Sequence, residues 1–155
     1  MGDSDKKIQE LNEGSSQLCC FYIGDTICGV NINHIQEINK DPIITSVPLS
    51  EDYILGIMNL RGQIVTVLDL GQKLGLKKSE DQQKSRVIIA NWKDEKIGLK
   101  VDRIADVVTC YHKDITAPPS NINGLQVKYM DGVYQDASGL IAILVVDKIL
   151  DEETK

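Results

Sequence analysis

Asp25-Thr26-Ile27-Cys28-Gly29-Val30-Asn31-Ile32 and Asp94-Glu95-Lys96-Ile97-Gly98-Leu99-Lys100-Val101 align without a gap. In the same register Ile35, Glu37 and Ile38 fall on Ile104, Asp106 and Val107. Further on, Ile44-Thr45 before Pro48 parallels Ile115-Thr116 before Pro118. Each half then closes on a glycine, an apolar strand, an aspartate and a short helical stretch, from Gly62 to Leu74 and from Gly139 to Leu150. Apolar strands match one another cheaply. An ordered series of glycine, acidic and proline matches does not arise so readily, and it marks an internal repeat. The repeat reads as two copies of one small β-barrel of about five strands each, in preference to a single irregular sandwich. It is compatible both with two self-contained copies and with strands of one copy completing the other.

Working outward, short apolar runs broken by turn residues predict a mainly β protein with short helical pieces. Leu18 to Ile23 and Ile27 to Ile32 make two strands around Gly24-Asp25. Ile32, Ile35 and Ile38 recur every third residue and predict one or two helical turns. Ile43 to Val47, bracketed by Pro42 and Pro48, reads as a short edge strand. Gly56 to Leu60 and Ile64 to Leu68 form a hairpin around Arg61-Gly62-Gln63. Asp69 is a predicted N-cap for a helix carrying Leu70 and Leu74 and stopped by Gly75. In the second half, Arg86 to Trp92, Ile97 to Val101, Ile104 to Cys110, Gly132 to Gln135 and Leu140 to Val146 read as strands. A loop holds Pro118-Pro119 and Asn121 to Gly124, and Asp147 is the expected cap of a C-terminal helix. The expected organisation is a flexible tail over 1–16, a first barrel over about 17–76, a polar linker over 77–85, a second barrel over about 86–146, the helix from 147 and a frayed end over 151–155.

Composition bounds the function. The chain has 155 residues, 42% hydrophobic and 26% charged, with a formal net charge of -6. An acidic chain with no basic run longer than Lys77-Lys78 is poorly suited to nucleic acid, whose binding relies on clustered Lys and Arg. It is equally unsuited to lying on a membrane as a basic amphipathic helix. No stretch approaches the roughly 20 apolar residues of a membrane span, and Met1 to Ser16 lacks an apolar signal core. A cytoplasmic protein is expected, with no direct membrane insertion. Cys19, Cys20, Cys28 and Cys110 fit that compartment as free thiols serving as small apolar fillers. Adjacent Cys19 and Cys20 point to opposite faces of a strand.

No catalytic constellation stands out. His34 and His112 lack partners at metal-ligand spacing, and no phosphate-binding glycine loop is present. Cys110 with His112 is the only local nucleophile–base pair, a weak one, because strand residues two apart share a face as a matter of course. No enzyme activity, cofactor or metal is expected. The informative stretch is Gly56-Ile57-Met58-Asn59-Leu60-Arg61-Gly62-Gln63-Ile64-Val65-Thr66-Val67-Leu68-Asp69-Leu70. Period two places Ile57, Asn59 and Arg61 on one face, with Met58 and Leu60 opposite. An amide and a planar guanidinium beside apolar neighbours can grip carbonyls or carboxylates of a partner. An arginine that merely solvates the hairpin tip fits the same spacing.

Asn59-Leu60-Arg61-Gly62, followed by Ile64-Val65 and Val67-Leu68-Asp69-Leu70, closely resembles the signature of the CheW family of chemotaxis coupling proteins. Gly29-Val30, Ile35-Gln36-Glu37-Ile38, Pro48 and Ile97-Gly98-Leu99-Lys100-Val101-Asp102 fit the same pattern, and the resemblance runs from about Leu18 to Leu150. Thr66 departs from it, standing where the family usually has proline. That puts in doubt whether its strand lies at an edge. The resemblance implies two SH3-like five-stranded barrels and an adaptor that couples methyl-accepting chemoreceptors to the histidine kinase CheA in receptor–kinase arrays, without catalysis. It implies receptor binding by Ile35, Glu37, Gly56, Asn59 and Arg61 in a groove between barrels, with Ile57 adding apolar contact. Arg61 either meets the receptor or braces Glu37. The kinase regulatory domain would meet the second barrel, with Val107 and Val108 as weak candidates. Recruitment to membrane arrays through partners and a monomer in isolation complete the expectation. The alternative is a generic protein- or peptide-binding β-barrel outside chemotaxis.

Overall fold

The computed structural model describes residues 14–48 and 50–151. The tail expected over 1–16 and the frayed end expected over 151–155 lie largely outside the described residues, although Ser15 and Ser16 already belong to the first strand. In chain order come β1 (Ser15–Ile23), β2 (Thr26–Asn31), β3 (Ile35–Asn39), β4 (Ile54–Leu60), β5 (Gln63–Asp69), α1 (Leu70–Leu74), β6 (Arg86–Trp92), β7 (Glu95–Val101), β8 (Arg103–Tyr111), β9 (Asn121–Ile122), β10 (Leu125–Gln126), β11 (Met130–Asp136), β12 (Gly139–Leu144) and α2 (Val146–Leu150).

Sheet I has the strand order β11-β12-β2-β1-β8, and sheet II has β4-β5-β7-β6-β3. Written this way the two orders superpose, so the repeat is a pseudo-twofold in three dimensions. The halves of the chain are nevertheless not the halves of the molecule. β1 and β2 complete the sheet of β8, β11 and β12, while β6 and β7 complete that of β3, β4 and β5. The contiguous ranges expected for the barrels, about 17–76 and 86–146, are replaced by an exchange of one hairpin each way. Two parallel joints seal it, Ile141 beside Ile27 and Thr66 beside Ile97.

The exchange explains why the central strands are apolar on both faces. Leu18, Cys20, Ile27, Cys110, Ile141 and Ile143 fill the inside of sheet I. Met58, Leu60, Val65, Val67, Val87 and Ile89 fill the inside of sheet II. The opposite faces of the same strands (Phe21, Ile23, Cys28 and Val30 against Ile88, Ala90, Leu99 and Val101) form a third core shared by both sheets. Fully burying each large aliphatic or aromatic side chain contributes about 1.5–3 kcal/mol. The repeated glycines serve the tight interiors. A Cβ on Gly29 would sit 3.1 Å from Ile141, and one on Gly98 would sit 2.9 Å from Val87.

Several local expectations change. Ile32, Ile35 and Ile38 do not make a helix: a single 3₁₀ turn over Ile32–His34, capped by Asn31, leads into β3. β-branched residues favour the extended state once β6 is beside them to pair with. Ile43 to Val47 is not a strand, and only Thr45 bridges to Ile57. The loop at Asn121 to Gly124 supplies the first strand and the turn of the small β9–β10 hairpin. Asp69 caps α1 as expected, and Gly75 ends it at φ +73°. Asp147 does not cap α2: Val145 occupies that position, and Asp147 lies in the first turn, where a carboxylate still favours the helix dipole. Thr66 lies in an interior strand, since β5 pairs with both β4 and β7.

Candidate functional site

β3 and β4 are the two outer strands of sheet II, and the β4–β5 turn brings them together. Leu60 pairs with Gln63, leaving a two-residue loop. Arg61 (φ +51°) and Gly62 (φ +89°) both lie in the left-handed region, which is the geometry that matches strand twist in a tight hairpin. The Gly62 N–H donates to Asn59 Oδ1 at 2.8 Å, so Asn59 braces the turn. Held there, the Arg61 guanidinium donates to both carboxylate oxygens of Glu37 on β3, through Nη1 at 3.2 Å and through Nη2. This bidentate pair clasps the open seam. Lys96 donates to Gln63 Oε1 at 2.9 Å beside it.

Below the clasp the seam opens into a cleft of about 560 Å³ lined by residues that include Ile38, Lys40, Ile43, Ile57, Asn59 and Ile64. Ile43 is 88% exposed, Ile64 64% and Ile38 41%. Apolar side chains so uncovered around a concave surface mark an interaction site. The expected face is found: Ile57, Asn59 and Arg61 face outward, while Met58 and Leu60 are buried. Gly56 is also buried, at a bulge where β4 crosses the Thr45 carbonyl. Ile35 packs half-buried against the shared core and does not join the cleft. Sequence reasoning missed Ile38, Ile43 and Ile64. The alternation of β5, which turns Val65 and Val67 inward, already points Ile64 outward.

The electrostatics follow the clasp. The Arg61 hydrogen bond holds the Glu37 carboxyl below its ordinary value of 4.5 against the opposing effect of desolvation, with the Arg61 charge adding to it, and Glu37 in turn raises the Arg61 guanidinium. Because the folded value lies below the unfolded one, the pair is formed above the unfolded pKa and lost as pH falls through the folded one. An NMR titration of Glu37 is therefore expected to have its midpoint below 4.5, and Arg61→Ala should raise it. An unshifted wild-type midpoint would mean the clasp does not persist in solution.

Val107 and Val108 lie on β8, the edge of sheet I. Val107 is 58% exposed, whereas Val108 packs toward the interior, so strand alternation separates the two candidates. The Cys110–His112 pairing is not that of an activated thiol. Cys110 is fully buried and its thiol is pushed up by burial, while His112 Nε2 lies 2.7 Å from Ser16 Oγ. Burial likewise pushes Cys20 and Cys28 up to about 12. No helix among the described residues is long and apolar enough to cross a membrane.

Comparison with known proteins agrees with this architecture. The family model described as CheW-like domain matches residues 17–154. The chain is 31% identical to the chemotaxis protein CheW of Helicobacter pylori over 146 residues, covering 94% of this chain and 87% of that one. It is 29% identical to the chemotaxis protein CheW of Treponema pallidum over 147 residues, covering 92% and 86%. Among solved structures, the scaffolding protein TtCheW of Thermoanaerobacter tengcongensis superposes with a TM-score of 0.81 at 28% identity, covering 90% of this chain and 95% of that one.

Proposed function

The chain belongs to the CheW-like domain family, and from that premise we propose that it is a non-catalytic chemotaxis adaptor coupling chemoreceptors to the histidine kinase CheA. Its relatives are chemotaxis proteins, and the similar solved structure is of a scaffolding protein. The observation that carries the reading is the Glu37–Arg61 clasp closing a seam whose floor is exposed isoleucine. Such a surface suits the apolar stripe of a helix from a receptor tip, with Ile38, Ile43, Ile57 and Ile64 as contacts and the clasp fixing register. Ile35, Gly56 and Asn59 act behind it, by packing, by close backbone approach and by shaping the turn. The edge of sheet I, with Val107 outward, faces the kinase regulatory domain. One rigid body holding both partners raises their effective concentration and passes receptor movement to the kinase with no reaction of its own. It works in the cytoplasm and reaches membrane arrays through its partners.

Binding by calorimetry to a receptor cytoplasmic fragment and to the kinase regulatory domain tests this. Wild type is expected to bind both. Arg61→Glu, which sets a carboxylate against Glu37, and Ile64→Asp, which charges the cleft, should each weaken the receptor about tenfold, or 1.4 kcal/mol. Both should leave the kinase domain bound. Stability should change little for Arg61→Glu, because the pair is exposed. A folded wild type that binds neither partner would assign the seam to some other peptide or protein.

A further inference from the structure

The pseudo-twofold that relates the sheets is broken at the clasp. Ile35 opposite Ala90 and Ile38 opposite Ile88 in sheet II correspond to Ile104 opposite Phe21 and Val107 opposite Cys19 in sheet I, with a bulge between the two pairs in each. Asp106 therefore takes the place of Glu37. The β11–β12 turn, between Asp136 and Gly139, corresponds to the β4–β5 turn. Ala137 takes the place of Arg61, and Asp136 that of Leu60. Sheet II supplies both halves of its clasp; sheet I has the acid and lacks the arginine.

What stands in its place is a recess of about 310 Å³ whose lining includes Asp106, Asp136, Ser138, Tyr22 and Arg103. Arg103 is stacked on Tyr22 at 3.7 Å and makes no ion pair with either acid among the described residues. Among the described residues, the Asp136 carboxylate accepts only a 3.4 Å bond from the Ser138 N–H. Neither carboxylate has an ion-pair partner among the described residues, and both add to the burial that raises the neighbouring Cys20 thiol. Val107 and Leu140 are exposed on the same sheet.

We propose that this recess receives an arginine from the kinase-side protein partner, completing in trans the clasp that Arg61 completes in cis in sheet II. The inference rests on the adaptor reading and deepens it by naming the chemistry of the kinase-side contact. A guanidinium matches the recess because its planar fork engages carboxylates, as Arg61 does with Glu37. The exposed apolar groups beside it supply the desolvated rim that strengthens such a pair.

The test uses the full chain and the kinase regulatory domain. Asp106→Asn with Asp136→Asn is expected to lower kinase-domain affinity about tenfold or more and to flatten its salt dependence. Receptor-fragment affinity should not change. Ala137→Arg, a change in an exposed turn, supplies the missing cation in cis and should reduce kinase binding similarly with no loss of melting temperature. Unchanged kinase affinity in a folded double variant, or in Ala137→Arg, overturns the inference while leaving the adaptor reading in place. Failure of wild type to bind the kinase domain overturns both.

Discussion

Gly56→Val is expected to remove about 4 kcal/mol of folding stability, the sum of backbone strain and forced overpacking. Gly56 has φ +148°, which L side chains rarely adopt. A Cβ there would lie on the Thr45 carbonyl oxygen, 2.6 Å from its carbon and 2.9 Å from Ser46 Cα. These are backbone atoms, held in place because Thr45 and Ile57 exchange hydrogen bonds of 2.8 Å in both directions. No side-chain rotation relieves the clash. β4 would have to part from the 45–46 segment, and the wall of the cleft would go with it. Urea unfolding measures the loss. Gly62→Ala is the control, since nothing lies within 4 Å of that position, and it should cost only about 1 kcal/mol of left-handed strain. If Gly56→Val stayed within 1 kcal/mol of wild type, the crossing at Thr45 would be looser than the structure has it.

Asp102→Asn is expected to cost about 2–3 kcal/mol and to open the linker to proteases. Asp102 is buried, and its Oδ2 accepts from the backbone N–H groups of Gly24 and Ser79, both at 2.6 Å. Its Oδ1 accepts from Gln82 Nε2 at 2.9 Å. One carboxylate thus ties the β1–β2 turn, which belongs to sheet I, to the 77–85 segment, which joins α1 to β6 on the side of sheet II. An asparagine has a single acceptor oxygen where three donors converge, so its amide must face a donor of its own kind. Trypsin should then cut at Lys77, Lys78 or Lys84 much faster than in wild type. Cleavage at the wild-type rate would show that Lys78, paired with Asp69, holds the linker without Asp102.

Much of the site was legible in the sequence. Alternation along Ile57 to Arg61 is local, and it correctly separated outward from inward residues. A tight turn at Arg61-Gly62 followed from the spacing of the strands alone. What Arg61 touches was not legible, because Glu37 lies 24 residues away on a strand that the three-residue spacing of isoleucines disguised as a helix. Ile43 was misread for a related reason. Prolines and β-branched residues announced an extended edge, yet pairing there needs a partner, and only Thr45 finds one.

The sequence by itself determined that this is a repeated β protein, where most strands begin and end, and which face of the β4–β5 hairpin tip points outward. These follow from the period of two and the turn residues, which act within a few residues of one another. Only the tertiary structure decided which hairpin belongs to which sheet. β1, β2, β6 and β7 are apolar on both faces, so each fits either copy equally well by pattern. The choice is made where Ile27 and Thr66 take their parallel partners, Ile141 and Ile97, and where the freed faces of Phe21 and Leu99 close one shared core. The seams were decided there too, since the exchange leaves β3 and β4 as facing edges for Glu37 and Arg61 to join.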